Sequence, residues 1–289
     1  MFVFKAAVVG AGVMGGEIAQ VIASADIPVV LKDVDQRFVD AGLEKAREVT
    51  EAGLAKLVEK GKLTGEQADA QREHTLGLIT PATSYDGFGD VDFALEAVPE
   101  KLSIKQDVLA ELDAAVPGHA VLASNTSGLS ITELADATGR PDRVVGFHFF
   151  WPASRMRLVE VVEGQDTSIE TVQTASNFAR AIRKTAVRCA ECPGFVVNRI
   201  LLATASEAWR HQDETGQDVE EIDAAITEGA SMPMGPFKVA DMSGLDTVLK
   251  VARDLQDAYG EHFYVHRGME SLVERGDLGA KTGKGFYEH

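Results

Sequence analysis

Cysteine is nearly absent from this chain of 289 residues: only Cys189 and Cys192 occur, as Cys-Ala-Glu-Cys. No second Cys or His pair lies at zinc spacing, and the pair does not open a helix after a thioredoxin-like strand. The pattern therefore predicts reduced thiols in a cytoplasmic protein, with no metal site. Basic residues are also scarce, 28 against 45 acidic, for a net charge of −17. Such a balance argues against nucleic acid and anionic membrane as partners. It also demands a local positive field wherever an anionic ligand binds. No apolar run approaches the roughly 20 residues that cross a bilayer. A strand-like run begins at once, so no signal peptide is expected. Internal repeats and low-complexity tracts are missing. What remains, 45% hydrophobic and 25% charged, is a globular composition with room for one large or two ordinary domains.

Against this background one short stretch stands out. Val8 to Gly15 reads Val-Val-Gly-Ala-Gly-Val-Met-Gly, so Gly10, Gly12 and Gly15 form G-x-G-x-x-G, with Val13 and Met14 inside it. An apolar run precedes it and a helical pattern (Ile18, Ala19, Val21, Ile22) follows. A second apolar run, 28–31, leads to Asp33, in the window roughly 20 residues beyond the glycines where an acid is expected. Gly10 would permit the tight turn, Gly12 a close approach of backbone to a pyrophosphate, and Gly15 close packing of helix on strand. The helix N-terminus would offer N–H groups and a positive dipole end to phosphates. Asp33 would accept hydrogen bonds from a ribose 2′-hydroxyl and repel a 2′-phosphate, which points to NAD as cofactor.

The first part of the chain alternates strands and helices. Strand-like runs are 4–9, 28–31, 75–79, 93–97, 120–123 and 144–147, followed by 157–162 and 186–189. A long amphipathic segment spans 36–60, a shorter helix 66–72, and another 168–182. Alternation of this kind means a Rossmann-type α/β fold with a doubly wound parallel sheet. After Cys192-Pro-Gly the pattern turns helical (195–212, 219–227, 245–258 and a short piece near 269–274), predicting an all-α C-terminal domain. The expected division is an NAD-binding domain over 1–190 and a helical substrate-binding and dimerisation domain over 191–289.

Ligands of open α/β sheets sit at the carboxyl ends of the strands. The polar residues there are Val98-Pro-Glu100, Ser124-Asn-Thr-Ser127 and His148. His148 lies among aromatics, where a histidine is usually packing. Glu160, twelve residues on in Leu-Val-Glu-Val-Val, changes that reading. Two adjacent strands joined by a turn would bring the carboxylate to one imidazole nitrogen, fix the tautomer and leave the other nitrogen to move a substrate proton. This is the base needed to oxidise an alcohol as hydride leaves to a nicotinamide.

Over essentially its whole length the chain resembles the L-3-hydroxyacyl-CoA dehydrogenase family. The resemblance rests on Gly-Ala-Gly-Val-Met-Gly, Glu96-Ala-Val-Pro-Glu100, Ser124-Asn-Thr-Ser127, Gly-Phe-His148-Phe-Phe, Leu-Val-Glu160, Pro193-Gly-Phe-Val-Val-Asn-Arg199 and Lys281-Thr-Gly-Lys-Gly-Phe-Tyr287. It implies NAD-dependent oxidation of an acyl-CoA substrate in fatty-acid β-oxidation. His148 would be the base and Glu160 its orienting partner. Ser127 and Asn198 would hydrogen-bond the reacting oxygen or its neighbours, in a site between the domains. Asp33 would hold the adenosine ribose, and Glu100, Lys105 and Lys281 would contact NAD. A homodimer through the helical domain is also implied.

The residues also admit plainer roles. Ser127 and Asn198 suit helix caps, as do Asp241 and Asp246. Lys105 reads as a solvated helix charge unless it reaches the cofactor. Lys56, Lys60 and Lys62 would meet the CoA phosphates from the long helix, or simply face water. At Trp151 the family has Asn. An indole donates one hydrogen bond and accepts none, so the polar anchor is expected from Ser127 or a backbone group. The ring would then be a substrate wall or packing for the 151–154 turn. Trp151 and the wording of residues 1–35 resemble forms fused to an enoyl-CoA hydratase, implying the dehydrogenase part of such a fusion. Two rivals remain: a relative acting on a hydroxy compound without CoA, and a non-catalytic nucleotide-binding protein such as the lens crystallins of this superfamily. The retained His148, Glu160, Ser127 and Asn198 argue against the second.

Overall fold

Strand β1 (Ala6–Val9) is Ala-Ala-Val-Val and buried at every position, which is what a central parallel strand requires. The structure is a computed structural model that describes residues 2–289. From β1 the chain passes through α1 (Val13–Ala23), β2 (Val29–Lys32), α2 (Gln36–Glu59), α3 (Gly65–Gly77) and β3 (Ile79–Ala82). It continues through β4 (Phe93–Glu96), α4 (Leu102–Ala115), β5 (Val121–Ser124), α5 (Ile131–Ala135) and β6 (Val144–Phe149). The strand β7 (Leu158–Glu163), helix α6 (Ile169–Ala181) and strand β8 (Thr185–Ala190) complete one eight-stranded sheet, ordered β3-β2-β1-β4-β5-β6-β7-β8. Every pairing is parallel except β6 with β7. The Rossmann-type doubly wound sheet expected from the alternation is therefore present. The order reverses between β1 and β4, which opens the crevice at their carboxyl ends.

Glycine determines how that crevice is built. Gly10 has φ +102°, and a Cβ there would stand 2.7 Å from the Ala97 carbonyl, so the loops after β1 and β4 meet backbone to backbone. A Cβ on Gly15 would overlap the Gly10 carbonyl oxygen. Below the sheet's centre Phe93, Phe147 and Phe178 pack together, with ring centroids 4.4–5.7 Å apart, and fasten α6 to β4 and β6.

One strand differs from the expectation. Residues 75–79 alternate in hydrophobicity and read as a strand, but Thr75 lies in α3 and the strand begins at Ile79. A capping box between Thr64 and Gln67 starts α3 firmly, and the helix runs to Gly77, longer than the expected 66–72. Pro81 is tolerated because β3 is the edge strand.

The first unit ends at Cys192 and the second runs Pro193–His289. The second is helical: α7 (Val197–Thr215), α8 (Val219–Gly229), α9 (Pro236–Ser243), α10 (Leu245–Tyr259) and α11 (Arg267–Arg275). Trp209, Phe237, Leu245 and Met269 form its core. Helix α9, absent from the expected elements, is held by Asp223, whose carboxylate accepts the N–H groups of Phe237 (3.0 Å) and Lys238 (2.8 Å). Asp241 is not a cap. It is fully buried inside α9 and accepts the N–H groups of Phe286 (2.9 Å) and Tyr287 (2.8 Å), with His289 Nε2 at 3.0 Å. Among the described residues no helix is long and apolar enough to cross a membrane.

Replacing Asp241 by Ala strands those two N–H groups. Each unsatisfied buried group costs about 1–3 kcal/mol, so Asp241→Ala should lose about 2 kcal/mol or more in urea unfolding. An unchanged midpoint would show that this carboxylate does not secure the C-terminal segment.

Candidate active site

The carboxyl ends of β4 and β5 are joined by one buried cation. Glu96 ends the apolar strand β4 with no exposure. Its Oε1 accepts Lys105 Nζ at 2.8 Å and the Val98 N–H at 2.6 Å, and its Oε2 accepts the Ser124 hydroxyl at 2.6 Å. Lys105, on α4 and 1% exposed, also reaches Glu100 Oε2 at 3.1 Å and the Val98 carbonyl at 3.2 Å. Its ammonium donors are thus all engaged within the protein, so it is not a solvated helix charge. Glu100 Oε1 accepts the Thr126 hydroxyl at 2.6 Å and the Ser127 N–H at 2.9 Å. Burial pushes the Glu96 carboxyl above its usual range, only partly opposed by Lys105. Burial acts in the same sense on Glu100, but there the Lys105 charge and the hydrogen bonds from Thr126 and Ser127 outweigh it and hold the carboxyl low.

The next strand supplies a second buried pair. In the antiparallel β6–β7 register His148 stands opposite Glu160. His148 Nδ1 lies 2.8 Å from Glu160 Oε2. Glu160 is fully buried and His148 nearly so. The carboxylate puts the neutral ring's proton on Nδ1 and the lone pair on Nε2. Beside the pair, the Phe149 N–H donates to Asn125 Oδ1 at 2.9 Å, tying β6 to the loop after β5.

Asp33 follows β2 and closes the glycine turn. Its Oδ2 accepts the Ala11 N–H at 2.7 Å and its Oδ1 the Val34 N–H at 2.7 Å. Each carboxylate oxygen keeps a further lone pair for a ligand. Helix α1 begins after Gly12 with no side-chain cap. Its first intrahelical bond runs from the Gly16 N–H to the Gly12 carbonyl, so the N–H groups of Val13, Met14 and Gly15 precede it and have no helical acceptor. A Cβ on Gly12 would meet nothing within 4 Å. Exposed backbone, unused donors and a carboxylate at this spacing fit a dinucleotide.

The structure thus brings Glu100, Lys105 and Ser127 into one network and His148 onto Glu160. Ser127 is exposed and does not cap α5, a role taken by Ser130. Asn198 and Lys281 belong to the second unit. Asn198 lies in the first turn of α7, whose N-cap is Val196, and Lys281 pairs with Asp246 at the start of α10. Lys56 is exposed on α2 and, with Trp151, lines a cleft of the first unit. Trp151 is 56% exposed, so its ring does not serve as buried packing for the 151–154 turn. Cys189 is buried, which pushes its thiol up to about 12. Sequence reasoning placed Glu96, Ser124 and Thr126 in motifs but gave them no role. The available signal was an acid ending an otherwise apolar strand, which must find a cation.

The model of the 3-hydroxyacyl-CoA dehydrogenase NAD-binding domain matches residues 5–192, and that of the family's C-terminal domain matches 194–289. A 3-hydroxybutyryl-CoA dehydrogenase from Clostridioides difficile is 40% identical, over 99% of both chains. The crystal structure of (S)-3-hydroxybutyryl-CoA dehydrogenase from Ralstonia eutropha superposes with a TM-score of 0.91 at 36% identity, covering 99% of each chain. A fatty acid oxidation complex subunit alpha from Psychrobacter cryohalolentis is 38% identical over 99% of this chain, which covers 38% of that protein. Identity to the longer subunit is no higher than to the enzyme of matching length, so the expected kinship with fused forms is not upheld.

Breaking the buried pair by removing its cation should be severe, because Glu96 would keep an uncompensated charge. Lys105→Met is expected to lose about 3–5 kcal/mol at neutral pH. Removing the cation raises the Glu96 carboxyl still further, and protonation then relieves the buried charge. The deficit against the native protein should therefore shrink as pH falls through that raised range. A deficit independent of pH in urea titrations would contradict the role assigned to Glu96.

Proposed function

The chain belongs to the 3-hydroxyacyl-CoA dehydrogenase family, and from that premise we propose that it oxidises an (S)-3-hydroxyacyl-CoA to the 3-ketoacyl-CoA with NAD⁺, in the manner of fatty-acid β-oxidation. The observation that carries this reading is the His148–Glu160 pair at the carboxyl edge of the sheet. Glu160 holds the imidazole with Nε2 as the accepting nitrogen, and Nε2 takes the proton of the 3-hydroxyl group as the C3–H bond breaks. The charge that develops on the ring is then balanced by a carboxylate already in hydrogen-bond contact, with no solvent to reorganise. NAD⁺, when bound, supplies the hydride acceptor. Residues of the Gly10–Gly15 turn hold its pyrophosphate, with N–H groups of Val13, Met14 and Gly15 as donors, and Asp33 holds its adenosine ribose.

Ser127 offers its hydroxyl to the reacting oxygen, from a loop that Glu100 fixes through the Ser127 N–H. Glu100 keeps its carboxylate for the cofactor, and Lys105 serves the cofactor through Glu100. Asn198 for the reacting oxygen and Lys281 for NAD remain proposals from the family resemblance. Lys56 answers the charge problem by meeting CoA phosphates, and Trp151 serves as a wall for the substrate. The cytoplasm and a homodimer through the second unit, where Ile200 and Leu201 are exposed on α7, complete the proposal.

His148→Gln should lower kcat by about two to four orders of magnitude, the usual worth of a positioned acid–base group, while NADH binding, read by fluorescence, stays unchanged. Glu160→Gln should come close to the same loss, because the two residues act as a unit. Near-native turnover in either variant would remove the assignment. Asp33 adds like charge where NADP carries its 2′-phosphate, so kcat/KM should favour NAD over NADP by at least about tenfold. Equal values would reject the role given to Asp33.

A further inference from the structure

In a chain with so large an acidic excess, cations that no carboxylate neutralises are informative. A cleft of about 670 Å³ in the first unit is lined by Lys45, Lys56, Arg155, Arg157, Arg183 and Lys184, against the carboxylates of Glu17 and Glu48. Both carboxylates are engaged. Glu48 holds Lys45 at 2.7 Å, and Glu17 accepts the Ser154 N–H at 3.2 Å. Lys184 is engaged as well, donating to the carbonyls of Ala153 and Met156 at 2.6 and 2.8 Å. The side chains of Lys56, Arg155, Arg157 and Arg183 have no hydrogen bond or ion pair among the described residues. Acids outnumber bases 45 to 28, so four unneutralised cations on one cleft mark a focused positive field rather than an ordinary solvated face.

The wall that carries these cations is firmly built. The turn bearing Arg155 is held on one side by Glu17 of α1, 5% exposed, and on the other by Lys184, 8% exposed. Arg183 sits at φ +61°, a conformation that favours glycine or asparagine. A residue kept there in spite of that preference is commonly one with a task. Trp151 closes the cleft three positions beyond His148 in sequence, so the cleft adjoins the strand that carries the proposed base.

The geometry points to Arg155, Arg157 and Arg183 as phosphate-reading residues that set the preference for a thioester carrying the phosphorylated adenosine end of CoA. Guanidinium forks match phosphate oxygens in pairs and need no proton change to do so. The inference rests on the acyl-CoA reading above and adds to it the side chains that tell the CoA thioester from a shorter one. These residues act on binding and take no part in the chemistry at C3.

The test compares the native protein with the Arg155→Gln/Arg183→Gln variant, whose two replaced side chains are exposed and hold nothing in the fold. Acetoacetyl-CoA and S-acetoacetyl-pantetheine, which lacks the phosphorylated adenosine, are reduced with NADH. The variant should raise KM for acetoacetyl-CoA about tenfold or more, with kcat held and KM for the pantetheine thioester unmoved. Adenosine 3′,5′-bisphosphate, titrated calorimetrically with NAD⁺ saturating so that the dinucleotide site is filled, should bind the variant weaker by a similar factor. Unchanged bisphosphate affinity, or equal KM changes for both thioesters, would overturn the assignment. If the native protein turned over neither thioester, the dehydrogenase reading would fall, and the bisphosphate titration would still decide the cleft.

Discussion

One reversal of strand direction organises the candidate site. Seven pairings could all have been parallel, yet β7 runs against β6, and this places Glu160 opposite His148. Side chains alternate along a strand, so a slip of one residue would send Glu160 to the other face of the sheet. A fully buried carboxylate without a partner is costly, and the imidazole is the partner the register provides. The same register that makes the pair also penalises losing it. The proposed base and its partner are thereby held on two interior strands of the sheet rather than on a loop.

Local cations then answer the acidic excess at particular points. Lys105 lies between Glu96 and Glu100, and through them it fixes the loops after β4 and β5 relative to each other. Removing water from Lys105 and Glu96 together is tolerable because nearly every lone pair and proton finds a partner among Val98, Ser124 and the more exposed Glu100. In the proposal made above, the exposed arginines of the first unit answer the opposite problem, an anionic ligand approaching an anionic protein. Lys105 and Lys184 are spent inside the fold, whereas Arg155 and Arg183 stand at its surface.

Much of this was legible in the sequence because it depends on periodicity and spacing. The glycine turn, the run of buried strands and the His148–Glu160 spacing all translate directly into geometry. Residues 75–79 misled because short apolar alternation is shared by a helix end and a strand, and the capping box eleven residues upstream of Thr75 decided between them. Helix α9 depends on Asp223, 14 and 15 positions from the N–H groups it holds, and the placement of Asp241 depends on residues more than forty positions away, which no local pattern encodes. Glu96 was visible as an acid ending an apolar strand, but its partner Lys105 looked like any helix lysine until burial was known.

The ¹⁵N resonances of the His148 ring, in protein labelled at histidine, test the oriented pair most directly. The account predicts a neutral ring protonated at Nδ1, with Nε2 bare and the Nδ1 proton strongly deshielded by Glu160. A neutral ring protonated at Nε2 would contradict it, because the nitrogen assigned to take the substrate proton would already carry one.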